Sequence, residues 1–381
     1  MMTPIYLDYN ATTPIDREVA EEMIPFLRDQ LGNPSSSHAQ GRAAREAVER
    51  ARAQVADFLG CRPGEVVFTS GGTESNNYAI KGAVLAHRHR GGHLITSAVE
   101  HPAVTEVCGY LAGGGFQVTT LPVDGDGLLD PEQVREAIKP GTILISVMHA
   151  NNEVGTIEPV ERIAKIAGER GVLFHTDAAQ SAGKIPVSVD ELGVDLLSLA
   201  GHKLYAPKGI GALYIRGGTE LEKLMHGAGH EEGRRAGTEN VPFIVAFGKA
   251  CEVAKRDLAK NRAHMQAMRD RLLGWLEQAL DGIRLNGHPT ERLPNTLSVG
   301  FGNVEADALL AALEGVAASA GAACHAGGPA LVSSVLKAMK VPPGYAMGTV
   351  RFSTGRGTAQ QEIDRAAAMI IDEVERLRQA P

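Results

Sequence analysis

Five short apolar runs in the first two hundred residues are each followed by residues that can do chemistry. These residues are a glycine loop at 70–73, then His101, Asn152, Asp177 and Lys203. In open parallel sheets, ligands bind beyond the carboxyl ends of the strands. If the runs are strands of one sheet, we expect a glycine loop, an imidazole, an amide, a carboxylate and an amine to meet at one edge.

The segment "SGGTESNN" is typical of a turn that begins a helix. Free backbone N–H groups and the helix dipole favour a phosphate at such a position. The spacing matches neither GxxxxGK[ST] nor GxGxxG, so it indicates neither a Walker loop nor a dinucleotide fingerprint. The alternative interpretation is an ordinary N-cap by Thr73 or Ser75, with Glu74 in the first turn.

Asp177 and Lys203 favour a particular cofactor when they are taken together with the glycine loop. A poorly hydrated carboxylate such as Asp177 requires a cationic partner, for which a protonated pyridine nitrogen is suitable; a helix N-cap is the alternative. Lys203 stands among small residues, and a partly buried lysine is a nucleophile able to form a Schiff base, whereas most lysines extend into solvent. The combination indicates pyridoxal 5′-phosphate tethered by Lys203.

The elements that must position these residues alternate along the chain. Predicted strands lie at 65–69, 93–97, 142–149, 172–175, 195–199 and 211–215, and predicted helices at 75–88, 102–111, 131–138 and 159–170. Such alternation predicts an α/β fold with a mostly parallel sheet flanked by helices. Residues 238–280 are predicted to be helical with a break near Pro242, and a mixed segment with two further strands follows.

These elements suggest a large domain and a small one. We expect a large cofactor-binding domain at 16–255 and a smaller α+β domain at 256–381, which carries the loop around Cys324. The first fifteen residues are too polar and turn-rich to form a unit alone. We therefore expect segment 1–15 to pack on the small domain.

Composition narrows the class of protein. The 381 residues are 44% apolar and 22% charged, which is ordinary for a soluble globular protein, and the net charge of −7 argues against a nucleic-acid surface. We find no membrane span and no signal pattern. The four cysteines are scattered without zinc-like spacing, which predicts no structural metal and a reducing cytoplasm.

Eight blocks of sequence carry a resemblance that extends almost from end to end: "YLDYNATTP", "VVFTSGGTESNN", "SAVEHPAV", "MHANNEVGTIEP", "HTDAAQSAGKIP", "AGHKLYAPKGIGALY", "RRAGTEN" and "GTVRFSTGR". With these blocks the chain resembles the cysteine desulfurases of the NifS and IscS type, in the class V aminotransferase group. The resemblance implies the fold-type I architecture of pyridoxal phosphate enzymes and a homodimer.

The resemblance also implies roles around the cofactor. Lys203 would hold it as a Schiff base, Asp177 would pair with the ring nitrogen and Gln180 would bind the ring oxygen. His101 would stack on the ring and transfer protons. The phosphate would be bound by Gly72, Thr73 and His202, with Thr238 reaching it from a second subunit.

The substrate carboxylate would be bound by Asn152, which also borders the cofactor, and by Arg351. Arginine suits this task because its planar fork matches a carboxylate bidentately. Arg356 is the nearby competitor, and the strand-like "VRFST" favours Arg351. One position departs from the family: Ala200 stands where a serine often contributes to the phosphate cup, so one hydroxyl contact is missing.

Cys324 lies in "SAGAACHAGGPALVSS", whose glycines and alanines leave the thiol accessible. A nucleophilic cysteine requires access and a thiolate, and the adjacent His325 could favour the thiolate; an inert cysteine is the alternative. The resemblance implies that Cys324 forms a persulfide. The remaining cysteines are interpreted as structural: Cys61, Cys108 and Cys251.

The implied activity is conversion of L-cysteine to L-alanine, with sulfur passing to Cys324 and then to an acceptor protein, an iron–sulfur scaffold being one candidate. Three alternatives remain open. "GAACHAG" resembles selenocysteine lyases, the scaffold also serves other class V aminotransferases, and a degenerate copy could act as a non-enzymatic scaffold. Lys203, Asp177, His101 and Arg351 together speak against the last.

Overall fold

The computed structural model describes residues 4–320 and 332–379, which form a seven-stranded sheet and two smaller sheets. The strands are β1 (Ile5–Tyr6), β2 (Val66–Thr69), β3 (His93–Ser97), β4 (Gln117–Leu121), β5 (Thr142–Ser146), β6 (Leu173–Asp177), β7 (Leu196–Ala200), β8 (Gly211–Ile215), β9 (Ile283–Asn286), β10 (Thr296–Phe301), β11 (Val316–Ala317), β12 (Ser319–Ala320) and β13 (Thr349–Ser353).

The helices lie between and after these strands. They are α1 (Arg17–Arg28), α2 (Ala39–Leu59), α3 (Gly72–Ala86), α4 (Pro102–Gly113), α5 (Pro131–Ala137), α6 (Val160–Glu169), α7 (Val189–Leu192), α8 (Val241–Ala279), α9 (Ala306–Ala312), α10 (Ser334–Ala338), α11 (Pro343–Ala346) and α12 (Gln360–Gln379). Among the described residues, no helix is both long and apolar enough to cross a membrane.

The large sheet has the strand order β2-β8-β7-β6-β5-β3-β4. Its neighbours pair in parallel except at β8, which is antiparallel to both β2 and β7. The predicted α/β class with a mostly parallel sheet is therefore confirmed. Strand β4 was not predicted, because it lies at the sheet edge and its half-exposed "QVTTL" lacks a buried apolar run.

Two apolar clusters cover the two faces of this sheet, because successive side chains of a strand point to opposite faces. Leu94 and Leu144 belong to one cluster, and their neighbours Ile95 and Ile145 belong to the other. The edge of the large sheet at which its parallel strands end is thus held in place by packing on both faces. That edge carries the candidate site.

A separate apolar cluster covers the four-stranded antiparallel sheet β12-β13-β10-β9. Ile5 and Leu7 lie in this cluster, and β1 pairs in parallel with β11, so the start of the chain packs beside the small sheet. The boundaries of the predicted domains stay predictions, because residue 255 falls inside helix α8 and no loop marks it.

The predicted break near Pro242 is wrong. Helix α8 is one continuous helix, and Pro242 lies in its first turn. A proline is tolerated there because the first N–H groups of a helix have no intrahelical acceptor. Since α8 contributes Phe247 to a cluster on the large sheet and Leu272 to the cluster of the small sheet, it connects the two.

Candidate active site

A cavity of about 290 Å³ opens at the carboxyl ends of strands β3, β5, β6 and β7. Nine of the predicted site residues line this cavity: Gly72, Thr73, His101, Asn152, Asp177, Gln180, His202, Lys203 and Arg351. Parallel strands end at the same edge, so residues far apart in the chain meet there. Thr238 does not line this cavity, and Cys324 lies outside the described residues.

The glycine loop forms the turn between β2 and α3. Gly71 has φ of +147°, a conformation that L side chains rarely adopt, and it holds the N-cap position without a side-chain cap. Neither Thr73 nor Ser75 caps the helix; Ser75 Oγ instead donates to Ala212 O at 3.0 Å. The first N–H groups of α3 are thus left for a ligand, as a phosphate requires.

Asp177 is the last residue of β6 and is only 7% exposed. Asn76 Nδ2 donates to Asp177 Oδ2 at 2.6 Å, and the backbone N–H of Ala179 donates to Oδ1 at 2.9 Å. No helix begins here, since α7 starts only at Val189, so the alternative of a helix N-cap is wrong. The carboxylate lies at the cavity wall, held by neutral donors.

Lys203 lies in a 3₁₀ turn, Gly201–Lys203, directly after β7. Its half-buried amine donates to the backbone carbonyl oxygens of Asn10 and of Ala11, the latter at 2.8 Å. Burial, followed by the positive charge of Arg351, lowers the pKa of Lys203 to about 8, against the opposing charges of Asp8 and Asp177. The amine therefore does not extend into solvent, and a substantial fraction of it is neutral near pH 8.

His101 caps the amino terminus of α4, with Nδ1 accepting from the backbone N–H of Ala103 at 3.0 Å. Because Nδ1 accepts, the neutral ring carries its proton on Nε2. Burial lowers the pKa of His101, and the positive charge of Lys203 lowers it further, against the opposing charge of Asp177. The side of the His101 ring that faces the open cavity is exposed, and the rest of the ring is surrounded by protein, which is the burial that lowers its pKa.

His202 precedes the reactive amine and also faces the cavity. Its Nδ1 lies 3.3 Å from Thr12 Oγ1. Burial, with the positive charges of Lys203 and Lys208, lowers the pKa of His202 to about 4. The ring is neutral at pH 7 and would bind a phosphate as a hydrogen-bond donor rather than as a cation.

Arg351 lies on β13 and is 8% exposed. Its Nη1 donates to Asn152 O at 2.9 Å and its Nη2 to Asp8 Oδ1 at 2.8 Å, while the buried Nε has no partner among the described residues. The competing Arg356 pairs with Asp16, and its guanidinium lies 3.9 Å from the centre of the Tyr205 ring. Arg356 does not line the cavity.

Three polar residues of this region were missed in the sequence. Asn10 lines the cavity, and its backbone carbonyl accepts from Lys203 and Gln180. Asn76 holds Asp177, and Lys184 is a buried amine beside Gln180. The only signal is that all three lie inside blocks that carry the family resemblance.

Thr238 and the three described cysteines lie outside this cavity. Thr238 is exposed and borders a different cavity of about 200 Å³, while Cys324 lies outside the described residues. Burial raises the pKa of Cys61 and of Cys108 to about 12, and it also raises the pKa of Cys251. The three described thiols are therefore poor nucleophiles. Within residues 4–320 and 332–379, no cluster of three or more His, Cys, Asp or Glu side chains could hold a metal ion.

The fold and the site define an enzyme whose reactive amine, acid and imidazole meet at the end of a mostly parallel sheet. The aminotransferase class V family matches residues 5–366, and the chain belongs to that family, within it to the cysteine desulfurases. Enzymes of this family are generally pyridoxal phosphate-dependent.

Individual relatives support this assignment. The cysteine desulfurase IscS of Dictyoglomus turgidum is 47% identical, covering 99% of this chain and 96% of the relative. A solved structure described as a NifS-like protein is 39% identical, with a TM-score of 0.91, and covers 97% of this chain and 99% of its own. Another, described as SspA in complex with cysteine, is 39% identical with a TM-score of 0.82, covering 93% and 100%.

Proposed function

We propose that the cavity binds pyridoxal 5′-phosphate and that the protein converts L-cysteine to L-alanine while sulfur passes to Cys324. The observation that carries the proposal is the Lys203 amine, with a pKa lowered to about 8, in the same cavity as Asp177 and His101. The cavity's volume of about 290 Å³ and the hydrogen-bond donors and acceptors that line it fit such a cofactor.

Particular residues would hold the cofactor. Lys203 attaches it covalently, Asp177 keeps the ring nitrogen protonated and Gln180 donates to the ring oxygen. The phosphate is bound by the amino terminus of α3 at Gly72 and Thr73, and by His202. Once bound, the cofactor supplies an electron sink that stabilises the negative charge left when the substrate loses its α-proton.

Arg351 and Asn152 bind the substrate carboxylate. Arg351 already lies at the cavity wall with an Nε that has no partner in the described part of the chain, and it would exchange its bond with Asp8 for a bond with the substrate. A bidentate guanidinium–carboxylate pair sets the direction of the α-carbon. Since Lys203 lines the same cavity as Arg351, its amine would be within the space that the bound substrate occupies.

Protons are moved by two groups of the cavity, the amine of Lys203 and the imidazole of His101. Lys203, as a neutral amine in the same cavity as the substrate, would accept the α-proton. His101, whose neutral ring carries its proton on Nε2, would donate from that atom when a proton is returned to the substrate carbon. Burial lowers the pKa of both groups, which favours the neutral form of each.

Sulfur transfer needs the thiolate of Cys324. This thiolate attacks the substrate sulfur, the sulfur–sulfur bond forms and the carbon–sulfur bond breaks. The electron pair of the broken bond stays with the carbon, which takes up protons to give alanine. The persulfide of Cys324 then passes its outer sulfur to an acceptor protein, for which an iron–sulfur scaffold is one candidate.

We further propose a cytoplasmic homodimer in which Thr238 of one subunit completes the phosphate site of the other. Thr238 is exposed and lies away from the cavity of its own chain, which supports this arrangement. A selenocysteine lyase is the second candidate function, favoured by the "GAACHAG" segment around Cys324. Such a lyase releases selenium without a nucleophilic cysteine.

The test compares wild type with Cys324→Ala on L-cysteine and on L-selenocysteine. We expect wild type to form alanine from L-cysteine and a persulfide on Cys324, detected by mass spectrometry, and we expect the variant to lose both. Cys108→Ala is the matched control, because that thiol is buried. Unchanged alanine formation by the Cys324 variant from selenocysteine alone would favour the lyase, and transamination of alanine would contradict both.

A further inference from the structure

A second lysine amine lies buried beside the cavity. Lys184 is 5% exposed, and its Nζ donates to Gln180 Oε1 at 2.8 Å and to Asn10 Oδ1 at 3.0 Å. Burial, followed by the positive charges of Lys203 and Arg351, lowers the pKa of Lys184 well below its ordinary value. An aliphatic side chain would avoid the cost of burying this amine, so packing alone does not explain its presence.

The amine determines which way the Gln180 side chain is turned. An amine that donates must face an acceptor, so the carbonyl oxygen of Gln180 points to Lys184 and its NH₂ group points away. That NH₂ group donates to the backbone carbonyl of Asn10 at 3.0 Å and lines the cavity. If the amide were turned round, Gln180 Oε1 would face the backbone carbonyl oxygen of Asn10, and two acceptors would oppose each other.

The same reasoning applies to the side chain of Asn10. Its Oδ1 accepts from Lys184 and from Asn295 Nδ2, the latter at 2.9 Å, so its own NH₂ group is directed to Asn152 O at 3.2 Å. The backbone carbonyl of Asn10 also accepts from Lys203 Nζ. One buried amine thus helps to orient two side-chain amides. The amide of Asn10 donates to the backbone of Asn152, the residue proposed to bind substrate, and the amide of Gln180 donates to the backbone carbonyl that also accepts from Lys203.

We propose that Lys184 is a positioning residue, which holds the amide of Gln180 so that its N–H groups face the cofactor's ring oxygen. This inference rests on the cofactor site proposed above and assigns to it a residue that never touches the cofactor. Without Lys184, only the backbone carbonyl of Asn10 holds the amide of Gln180 in this orientation, and the oxygen of the amide faces the ring oxygen more often. The stabilisation of that oxygen is then lost.

The first test uses Lys184→Met, which keeps the length of the side chain and removes its donors. The measurements are the pH midpoint of the cofactor's visible absorption band and the affinity of cofactor-free protein for pyridoxal 5′-phosphate. We expect the midpoint to rise by about half a pH unit or more and the affinity to fall by about fivefold, the equivalent of one hydrogen bond. Lys165→Met, at an exposed lysine of α6, is the matched control.

A double-mutant cycle with Gln180→Leu separates positioning from a general loss of stability. If Lys184 acts through Gln180, the double variant shows the same band midpoint as Gln180→Leu alone. Fully additive shifts, or a Lys184→Met protein that only unfolds at lower temperature while its band and affinity match wild type, would overturn the proposal. Failure of wild type to bind the cofactor would instead contradict the proposed function, so the two failures are distinct.

Discussion

Arg351 on strand β13 donates to the carboxylate of Asp8, with Nη2 lying 2.8 Å from Oδ1. The contact joins the small sheet to the start of the chain, since Asp8 also forms a parallel bridge with Ser353. The guanidinium that would bind a substrate carboxylate is therefore already occupied by a carboxylate of the protein. Asp8 both orients Arg351 and competes for it.

Removing the negative charge of Asp8 should favour substrate binding. In Asp8→Asn, we expect the KM for L-cysteine to fall about threefold, because the substrate carboxylate no longer displaces an ion pair that is partly exposed. The pKa of Lys203 should also fall, since the charge of Asp8 raises it. Steady-state kinetics measure the KM, and the pH dependence of Lys203 labelling in cofactor-free protein measures the pKa. A higher KM would show that Asp8 mainly orients the arginine.

Arg351 should be the arginine that binds the substrate. Arg351→Met should lower kcat/KM for L-cysteine by about 100-fold, the loss expected for two charge-assisted hydrogen bonds. Arg351→Lys should retain only part of the activity because an ammonium cannot reproduce the fork. Arg356→Lys is the matched comparison, and a larger loss in this variant than in Arg351→Met would contradict the assignment.

The amine of Lys203 should react at unusually low pH. In cofactor-free protein, labelling of Lys203 by an amine-specific reagent should reach half of its maximum near pH 8 and rise with pH, because only the neutral amine reacts. Mass spectrometry of digests at a series of pH values measures it, with exposed Lys165 correcting for the reagent. In Arg351→Met the midpoint should move upward, and a midpoint above pH 10 in wild type would refute the lowered pKa.

Replacing Ala200 by serine should restore the hydroxyl contact to the phosphate that this chain lacks. Ala200 lines the cavity, and its Cβ lies 3.3 Å from where a Cβ on Gly72 would be, so a hydroxyl there stands beside the start of α3. Ala200→Ser should bind pyridoxal 5′-phosphate about fivefold more tightly through one added hydrogen bond. Titration of cofactor-free protein measures the affinity; Ala200→Val adds bulk without a donor and should weaken binding.

A buried carboxyl next to His101 should make stability depend on pH. Burial raises the pKa of Glu100 to about 8, so the folded protein keeps it protonated where the unfolded chain ionises it. Its stabilising effect is complete below pH 4.5 and is lost as pH rises to 8. Relative to Glu100→Gln, wild type should therefore lose a few degrees of unfolding temperature between pH 5 and pH 8. Parallel curves for the two proteins would contradict this.

The residues at the strand ends were predictable because their signals are local. An apolar run followed by Asp177, or by the small residues before Lys203, can be recognised within ten residues or so of the chain. The break predicted at Pro242 failed for a local reason too: a proline in the first turn looks the same in sequence as one that interrupts a helix.

The network around Asn10 was not predictable in this way. Its partners Lys184, Asn295 and Ser353 come from three distant parts of the chain, and their spacing in the sequence does not predict that they meet. Hydrogen bonds of this kind follow from how the small sheet packs against the large one. Polar residues with no periodic pattern are ordinary surface residues by default, so sequence alone does not separate Lys184 from an exposed lysine.

The sequence by itself determined the alternating order of strands and helices, because hydrophobic periodicity and chain order are local properties. That order also determined the sheet edge at which the glycine loop, Asp177 and Lys203 come together. Tertiary structure decided which of two arginines faces the cavity, since the pairing of β13 with β10 places Arg351 there and leaves Arg356 on Tyr205. It also decided the protonation of Lys203 and Glu100. A pKa depends on burial and on charges from distant segments, and these exist only after the chain has folded.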